Sequence, residues 1–149
     1  MLYLELLFQG IVQGSIYALI ALGLTLVYGL LRILHVAHAA LFTLGGYLGV
    51  IVTNATGSFL LATAVAMIVV GFVGIAVYKL AYEPLLSKPP FISLIASIAL
   101  FIASEEIFRI IFGPYGLSYT NPPMQGYFEL FGGFFLKYGE ALVIALSVV

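Results

Sequence analysis

The sequence predicts an all-α membrane protein, a polytopic transmembrane helix bundle with about four complete spans plus the start of a fifth. Hydrophobic residues make up 64% of the 149 and charged residues only 7%, whereas soluble domains carry about a quarter charged residues. All six prolines fall in two short regions, which mark loops between apolar blocks of about 20 residues, the length that crosses a bilayer core.

The first apolar block predicts a helix from Leu6 to Leu31. No positively charged region precedes it and no A-x-A-like cleavage site follows it, so we expect a retained membrane helix and not a removed signal peptide. Its small residues fall at spacings of three and four and therefore share one face. They are Gly10, Gly14, Ala18, Ala21, Thr25 and Gly29.

Small residues allow close approach of helix backbones in lipid, where no hydrophobic effect drives helices together. We therefore expect this face to pack on a neighbouring helix of the same chain. The alternative is that the face lines a substrate path, with the polar side chain of Gln13 nearby.

Three further complete spans are predicted at His35 to Thr53, Phe59 to Tyr82 and Phe91 to Phe112. A fifth apolar block begins near Phe134 and stops at Val149. From Tyr138 onwards it is too short to span, so we interpret residues 1–149 as one transmembrane domain that is the N-terminal fragment of a longer protein. The alternative is a short re-entrant end packed on a partner.

The loops are predicted at about 83–90 and about 113–137. Lys79 and Lys88 flank the first of these, and cations gather on the cytoplasmic side of membrane proteins. We therefore expect loop 83–90 to be cytoplasmic and loop 113–137 to be external.

Both histidines of the chain, His35 and His38, lie three residues apart and would share a helix face. They could form a metal site or a proton relay, each of which needs Glu105 or Glu106 as a further group. The third interpretation is structural, with imidazoles that bond to backbone groups freed at a helix break. Irregular backbone of this kind is tolerated only inside protein or beside a water-filled cavity. We favour the third interpretation.

The remaining polar groups of the fourth span have local explanations. Glu105 and Arg109 are four residues apart and predict an ion pair within the helix near the membrane surface. Ser93 and Ser97 are also four apart, and we expect their hydroxyls to bond to carbonyls of their own helix.

No enzyme signature is present. The sequence lacks the G-x-x-x-x-G-K-[ST] loop that binds ATP and has no H-E-x-x-H or G-x-S-x-G run. It has no cysteine, its net charge is -1, and no basic face for nucleic acid is expected. We predict no catalytic residue, no metal and no cofactor.

The segment "GIVQGSIYALIALGLTLVYGLLRILHVAHAALFTLGGYLG", Gly10 to Gly49, resembles the N-terminal region of the branched-chain amino-acid ABC transporter permease family. That region has a "YALIALGLTLVYG"-like run, an "R-hydrophobic-N-F-A-H-G" motif and then "LGAY". The matching positions here are Tyr17 to Gly29, Arg32, Ala37, His38, Leu44, Gly45 and Tyr47. "YEPLLSKPPFISLIASIALFI" and "FGPYG" are similar to later stretches of the family.

The chain departs from the family pattern at four positions. His35 stands where the family has Asn, Val36 where it has Phe, Ala39 where it has Gly, and Glu83 where it has Arg. Family permeases are about twice this length.

The resemblance implies a transport subunit of the cell membrane that takes up branched-chain or similar amino acids by alternating access. The implied partners are a second permease subunit, cytoplasmic ATPase subunits and an external substrate-binding protein. The candidates for the translocation path are His38, His35, Gln13, Glu105 and Arg109. Glu105 and Arg109 are included because a zwitterionic amino acid needs both charge signs. The candidate packing and hinge positions are Gly10, Gly14, Gly29, Gly45 and Gly46. The hypotheses from other classes are a metal- or proton-handling membrane protein that uses His35, His38, Glu105 and Glu106, and a purely structural membrane subunit.

Overall fold

The computed structural model describes residues 2–123, 126–129 and 135–148. That part of the chain contains five α-helices: α1 (Leu2–Leu31), α2 (His38–Thr56), α3 (Phe59–Val77), α4 (Pro90–Phe112) and α5 (Tyr138–Val148). Among the described residues, α1 to α4 are long and apolar enough to cross a membrane, whereas α5 is a shorter apolar helix. The predicted all-α fold class is confirmed, with four membrane-length helices followed by a shorter apolar helix in the described part of the chain.

The chain divides into two compact units. One contains Met1–Thr25 and Met124–Val149, and the other contains Leu26–Pro123. The second unit holds α2, α3 and α4 together with the end of α1, and the polar contacts described below lie within it.

Helices α2 and α3 pack against each other as a hairpin. The turn needs glycine because Gly57 has φ +70°, the left-handed conformation that ends many helices, and its N–H bonds to the carbonyl of Thr53 at 2.8 Å. The Ser58 side chain then accepts from the N–H of Leu61 and caps α3. This turn carries α2 three residues beyond its predicted end at Thr53.

Helix α3 is extended by irregular turns. A π-helical turn, Tyr78–Tyr82, is followed by a 3₁₀ turn, Glu83–Leu85, and Pro90 opens α4 at a position that needs no N–H. The predicted loop at about 83–90 contains this 3₁₀ turn, since Pro84 fits the first turn of such a helix, and its cytoplasmic location stays a prediction.

A short antiparallel hairpin lies inside the predicted loop at 113–137. Strand β1 (Tyr127–Glu129) pairs with β2 (Phe135–Lys137), with Phe128 opposite Leu136. The sequence analysis did not predict it, because three-residue strands are too short for an alternating pattern to be recognised. Helix α5 follows at Tyr138 and not near Phe134, a position outside the described residues.

The small-residue face of α1 is exposed among the described residues. A Cβ added at Gly10, Gly14 or Gly29 would meet no atom within 4 Å. The packing role that was expected for this face stays a prediction.

The glycine pair of α2 is not a helix break. Gly45 and Gly46 lie inside the continuous helix His38–Thr56, so the helix is unbroken here, and the hinge role of these two residues stays a prediction. Glycine has no φ requirement here, and the backbone hydrogen bonds of the helix continue through both positions.

Gly46→Ala should therefore stabilise the protein. Alanine favours a helix interior over glycine by about 0.8–1 kcal/mol, and a Cβ at Gly46 meets nothing within 4 Å. The melting temperature of the detergent-solubilised variant should rise, and a lower value would contradict the continuous helix.

Candidate functional site

The chain breaks its helical path between α1 and α2. Helix α1 ends at Leu31, and Arg32 has φ +52°, with its N–H bonded to the carbonyl of Tyr28 at 2.8 Å. A non-glycine residue in this left-handed region costs roughly 1–2 kcal/mol. The predicted break thus exists, but it lies at residues 32–37, before His38 and not at the glycine pair.

His35 lies within this break and not on a shared helix with His38, as the predicted span from His35 had implied. It is 8% exposed, and its Nδ1 is 2.7 Å from the hydroxyl oxygen of Tyr82. The two rings meet edge to face with centroids 5.0 Å apart. The His35 and His38 rings remain neighbours, with centroids 6.2 Å apart.

Ser97 of α4 holds the other side of the break. It is fully buried, and its hydroxyl oxygen accepts from the N–H of Ala37 at 3.0 Å. The expectation that Ser97 bonds to its own helix was wrong, since its hydroxyl oxygen instead accepts from the backbone amide freed at the break.

The chemistry of these groups constrains the direction of the two hydrogen bonds. An amide N–H can only donate, so Ser97 Oγ accepts from Ala37. A neutral imidazole with its hydrogen on Nε2 accepts the Tyr82 hydroxyl at Nδ1. The break is thereby joined to the π-helical turn after α3 and to α4 through two hydrogen bonds.

Sequence reasoning missed Tyr82 and Ser97 as members of this site. The signal for Ser97 was the pair of serines four residues apart on α4. The sequence pattern gave no indication of Tyr82, because the direction of its side chain depends on the π-helical turn Tyr78–Tyr82. That turn was not predicted.

A mostly apolar cavity of about 190 Å³ adjoins the break. His35, His38, Tyr78 and Tyr82 are its polar-tipped lining residues, and His38 is half-buried. Among the described residues no group of three or more His, Cys, Asp or Glu side chains could hold a metal ion. The carboxylates of Glu105 and Glu106 thus do not complete a metal site with the histidines in that part of the chain.

The break should make stability depend on pH. Burial lowers the pKa of His35 below its ordinary value of 6.5, and the neighbouring His38 lowers that pKa further. The folded protein therefore favours neutral His35. The resulting contribution to the free energy of unfolding is complete above pH 6.5, and it is lost as the pH falls from there towards the lower pKa of the folded state. The melting temperature should decrease over that range. The His35→Asn variant should have a flatter profile, and an equally steep one would contradict this assignment.

The charged residues of α4 pair differently from the prediction. Nη1 of Arg109 lies 3.2 Å from Oε1 of Glu106, three residues away, and the two side chains are 62% and 56% exposed. The predicted partner, Glu105, is not the one used. Both spacings bring side chains together on a helix, so the sequence alone could not choose between the two carboxylates.

A second cavity, of about 170 Å³, lies between α2 and α4, and we call it the α2–α4 cavity. Glu105 and Arg109 both line it, and the α2 residues Thr43 and Tyr47 face it from the other side. The Tyr47 ring stacks on Phe112, with centroids 4.2 Å apart and planes 18° apart. The cavity therefore combines both charge signs with a fixed aromatic wall.

The segment after α4 is tied down beside this cavity. The Asn54 side chain donates to the carbonyl of Ser118 at 3.0 Å and accepts from the N–H of Thr120 at 2.9 Å. Gly113 and Pro114, at the start of the segment, line the α2–α4 cavity. Gln13, the remaining candidate of the sequence analysis, is an exposed residue of α1 in the other unit, and its role stays a prediction.

Comparison with known proteins identifies relatives over most of the chain. The family described as "Branched-chain amino acid transport system / permease component" matches residues 6–149. The high-affinity branched-chain amino acid transport system permease protein LivH of Escherichia coli K12 is 31% identical over 109 residues, which cover 67% of this chain and 35% of LivH. LivH of Salmonella typhimurium is 29% identical with the same coverage.

The corresponding permease protein BraD of Pseudomonas aeruginosa is 33% identical over 109 residues, which cover 67% of this chain and 36% of BraD. The match therefore spans about a third of the length of these relatives. No solved structure matches this chain.

Proposed function

The chain belongs to the family of branched-chain amino acid transport system permease components, and on that premise we propose that it forms part of the permease subunit of an ABC importer for branched-chain amino acids. It is a multi-pass protein of the cell membrane. The observation that carries the proposal is the family match over residues 6–149, on a chain with four membrane-length helices among its described residues.

The proposed mechanism is alternating access, in which the permease switches between outward-open and inward-open states. ATP hydrolysis would belong to separate cytoplasmic ATPase subunits, since this chain has no ATP-binding loop. An external binding protein would deliver the amino acid, and a second permease subunit would complete the path.

The break at residues 32–37 supports this mechanism physically. The break connects two membrane-length helices, α1 and α2, and irregular backbone in a membrane protein is tolerated where it lines a cavity. Here two hydrogen bonds, His35 to Tyr82 and Ala37 to Ser97, join the break to α3 and α4 beside the 190 Å³ cavity. We propose that His35 and His38 border the path at this point.

The test is uptake of labelled leucine by cells that carry the complete permease containing this chain, its ATPases and its binding protein. Uptake should require all three components, and uptake that persists without the ATPases would contradict the ABC assignment. His38→Ala should lower uptake per molecule on the order of tenfold, as expected for loss of a hydrogen bond to a charged ligand group. Phe42→Ala is the matched control, because Phe42 is an exposed α2 residue one turn further on that does not line the cavity.

A further inference from the structure

We propose that the α2–α4 cavity binds the zwitterionic head group of an α-amino acid, with Glu105 facing its ammonium group and Arg109 its carboxylate. The inference rests on the proposed function and adds where and how this chain recognises its substrate. It concerns a different cavity from the one that adjoins the two histidines.

The wall of the α2–α4 cavity carries a carboxylate without a partner of opposite charge among the described residues. The Arg109 guanidinium pairs with Glu106, whereas Glu105 makes neither an ion pair nor a hydrogen bond within the described ranges. Charges near a bilayer are costly unless they are paired. A surface anchoring role is already met by the Glu106–Arg109 pair, so the exposed Glu105 carboxylate is available to a cation from outside the chain.

The spacing of the Glu105 and Arg109 charges suits an α-amino acid. Glu105 and Arg109 are one helical turn apart on α4, where side chains are neighbours, and both line the cavity. Arg109 uses one nitrogen for Glu106, and a guanidinium has five N–H donors in a fork that matches a carboxylate. An α-amino acid carries an ammonium group and a carboxylate on a single carbon, so it can bridge this pair.

The other residues that line the cavity suit the remaining parts of such a ligand. The Thr43 hydroxyl donates to the carbonyl of Ala39, which leaves its oxygen lone pairs to accept from an ammonium group. Ala40, Phe101 and Phe108 form apolar walls for aliphatic carbons. The volume of about 170 Å³ is below the roughly 300–1,000 Å³ of sites for drug-sized ligands, as suits a small solute.

The cavity lies at the end of α4 that leads into the segment after Gly113. Gly113 and Pro114 line the cavity, and the segment that follows them is fixed by Asn54. The sequence predicts that this segment faces outward, which is where an importer receives its substrate. The cavity is therefore placed as an entry subsite.

The test uses thiol protection in the complete permease, freed of native cysteines elsewhere and reconstituted in lipid nanodiscs. This chain itself has no cysteine, so Thr43→Cys places a single reporter in the cavity. Thr56→Cys is the matched control, since both threonines lie on α2 and donate to the carbonyl four residues earlier, but Thr56 does not line the cavity. The measured quantity is the rate of maleimide labelling.

Leucine at about ten times its Kd should slow labelling of Thr43→Cys about tenfold and leave Thr56→Cys unchanged. 4-Methylpentanoate, which lacks the ammonium group, and isoamylamine, which lacks the carboxylate, should protect far less. Adding Glu105→Gln should weaken leucine protection on the order of tenfold. Glu106→Gln, which removes the existing ion pair, should not weaken it.

Three results would overturn the inference: no protection by leucine, equal protection by either analogue, or equal effects of Glu105→Gln and Glu106→Gln. A Thr43→Cys thiol that does not react at all would also overturn it, because an entry subsite must be open to water. These results differ from failure of the proposed function, which would appear as a complete wild-type transporter that takes up no leucine.

Discussion

Tyr82→Ala should lower the free energy of unfolding of the detergent-solubilised protein by roughly 3–5 kcal/mol, the usual cost of removing a buried aromatic ring. Tyr82 is 3% exposed and contacts the His35 ring edge to face. Its loss leaves a cavity beyond the end of α3 and removes the hydroxyl that bonds to His35 in the helix break. The measurement is the unfolding equilibrium in mixed micelles.

Tyr82→Phe separates the hydroxyl from the ring. It keeps the volume but leaves Nδ1 of His35 without its partner, which should cost about 1–3 kcal/mol. Tyr78→Phe is the matched control, because Tyr78 lines the same cavity and its hydroxyl makes no hydrogen bond within the described residues. Equal effects of the two substitutions would refute the role of the His35–Tyr82 hydrogen bond.

Ala62→Leu should destabilise the protein by about 1–3 kcal/mol through overpacking. Ala62 is fully buried in the first turns of α3, and α3 packs along α2. In lipid, close contact of helices depends on such small side chains. A leucine at this position must therefore push the two helices apart or distort its own rotamer.

The control for this prediction is Ala64→Leu, two residues along the same helix and exposed. It adds the same volume with the same helix propensity but meets no buried surface of this chain. The unfolding free energies of the two variants should differ by the overpacking cost. An Ala62→Leu variant as stable as Ala64→Leu would show that the α2–α3 contact is looser than the structure indicates.

The spans could be predicted because membrane-length apolar runs and proline-rich loops are local features. The predicted starts and ends of α3 and α4 agree with the structure to within a few residues, and the expected break after α1 exists. The irregular turn at Tyr78–Tyr82 could not be predicted, since a π-helical turn has no distinct side-chain period. Arg109 pairs with Glu106 and not with Glu105 because of the side-chain rotamers that these residues adopt. Spacings of three and four residues both allow a pair on a helix, so the sequence does not determine the choice.

The sequence by itself thus determined that this protein lies in a lipid bilayer, how many membrane-length apolar segments it has, and to which family it belongs. Each of these depends on composition or on motifs read along the chain. Only the tertiary structure decided what those motifs contact. It placed the helix break at residues 32–37 and not at Gly45 and Gly46, and it gave the freed amide of Ala37 to Ser97. Among the described residues it also left Glu105 without an ion pair or hydrogen bond, in a cavity with Arg109. Contacts between residues 60 positions apart, such as Ala37 and Ser97, arise from helix packing, and no local pattern encodes them.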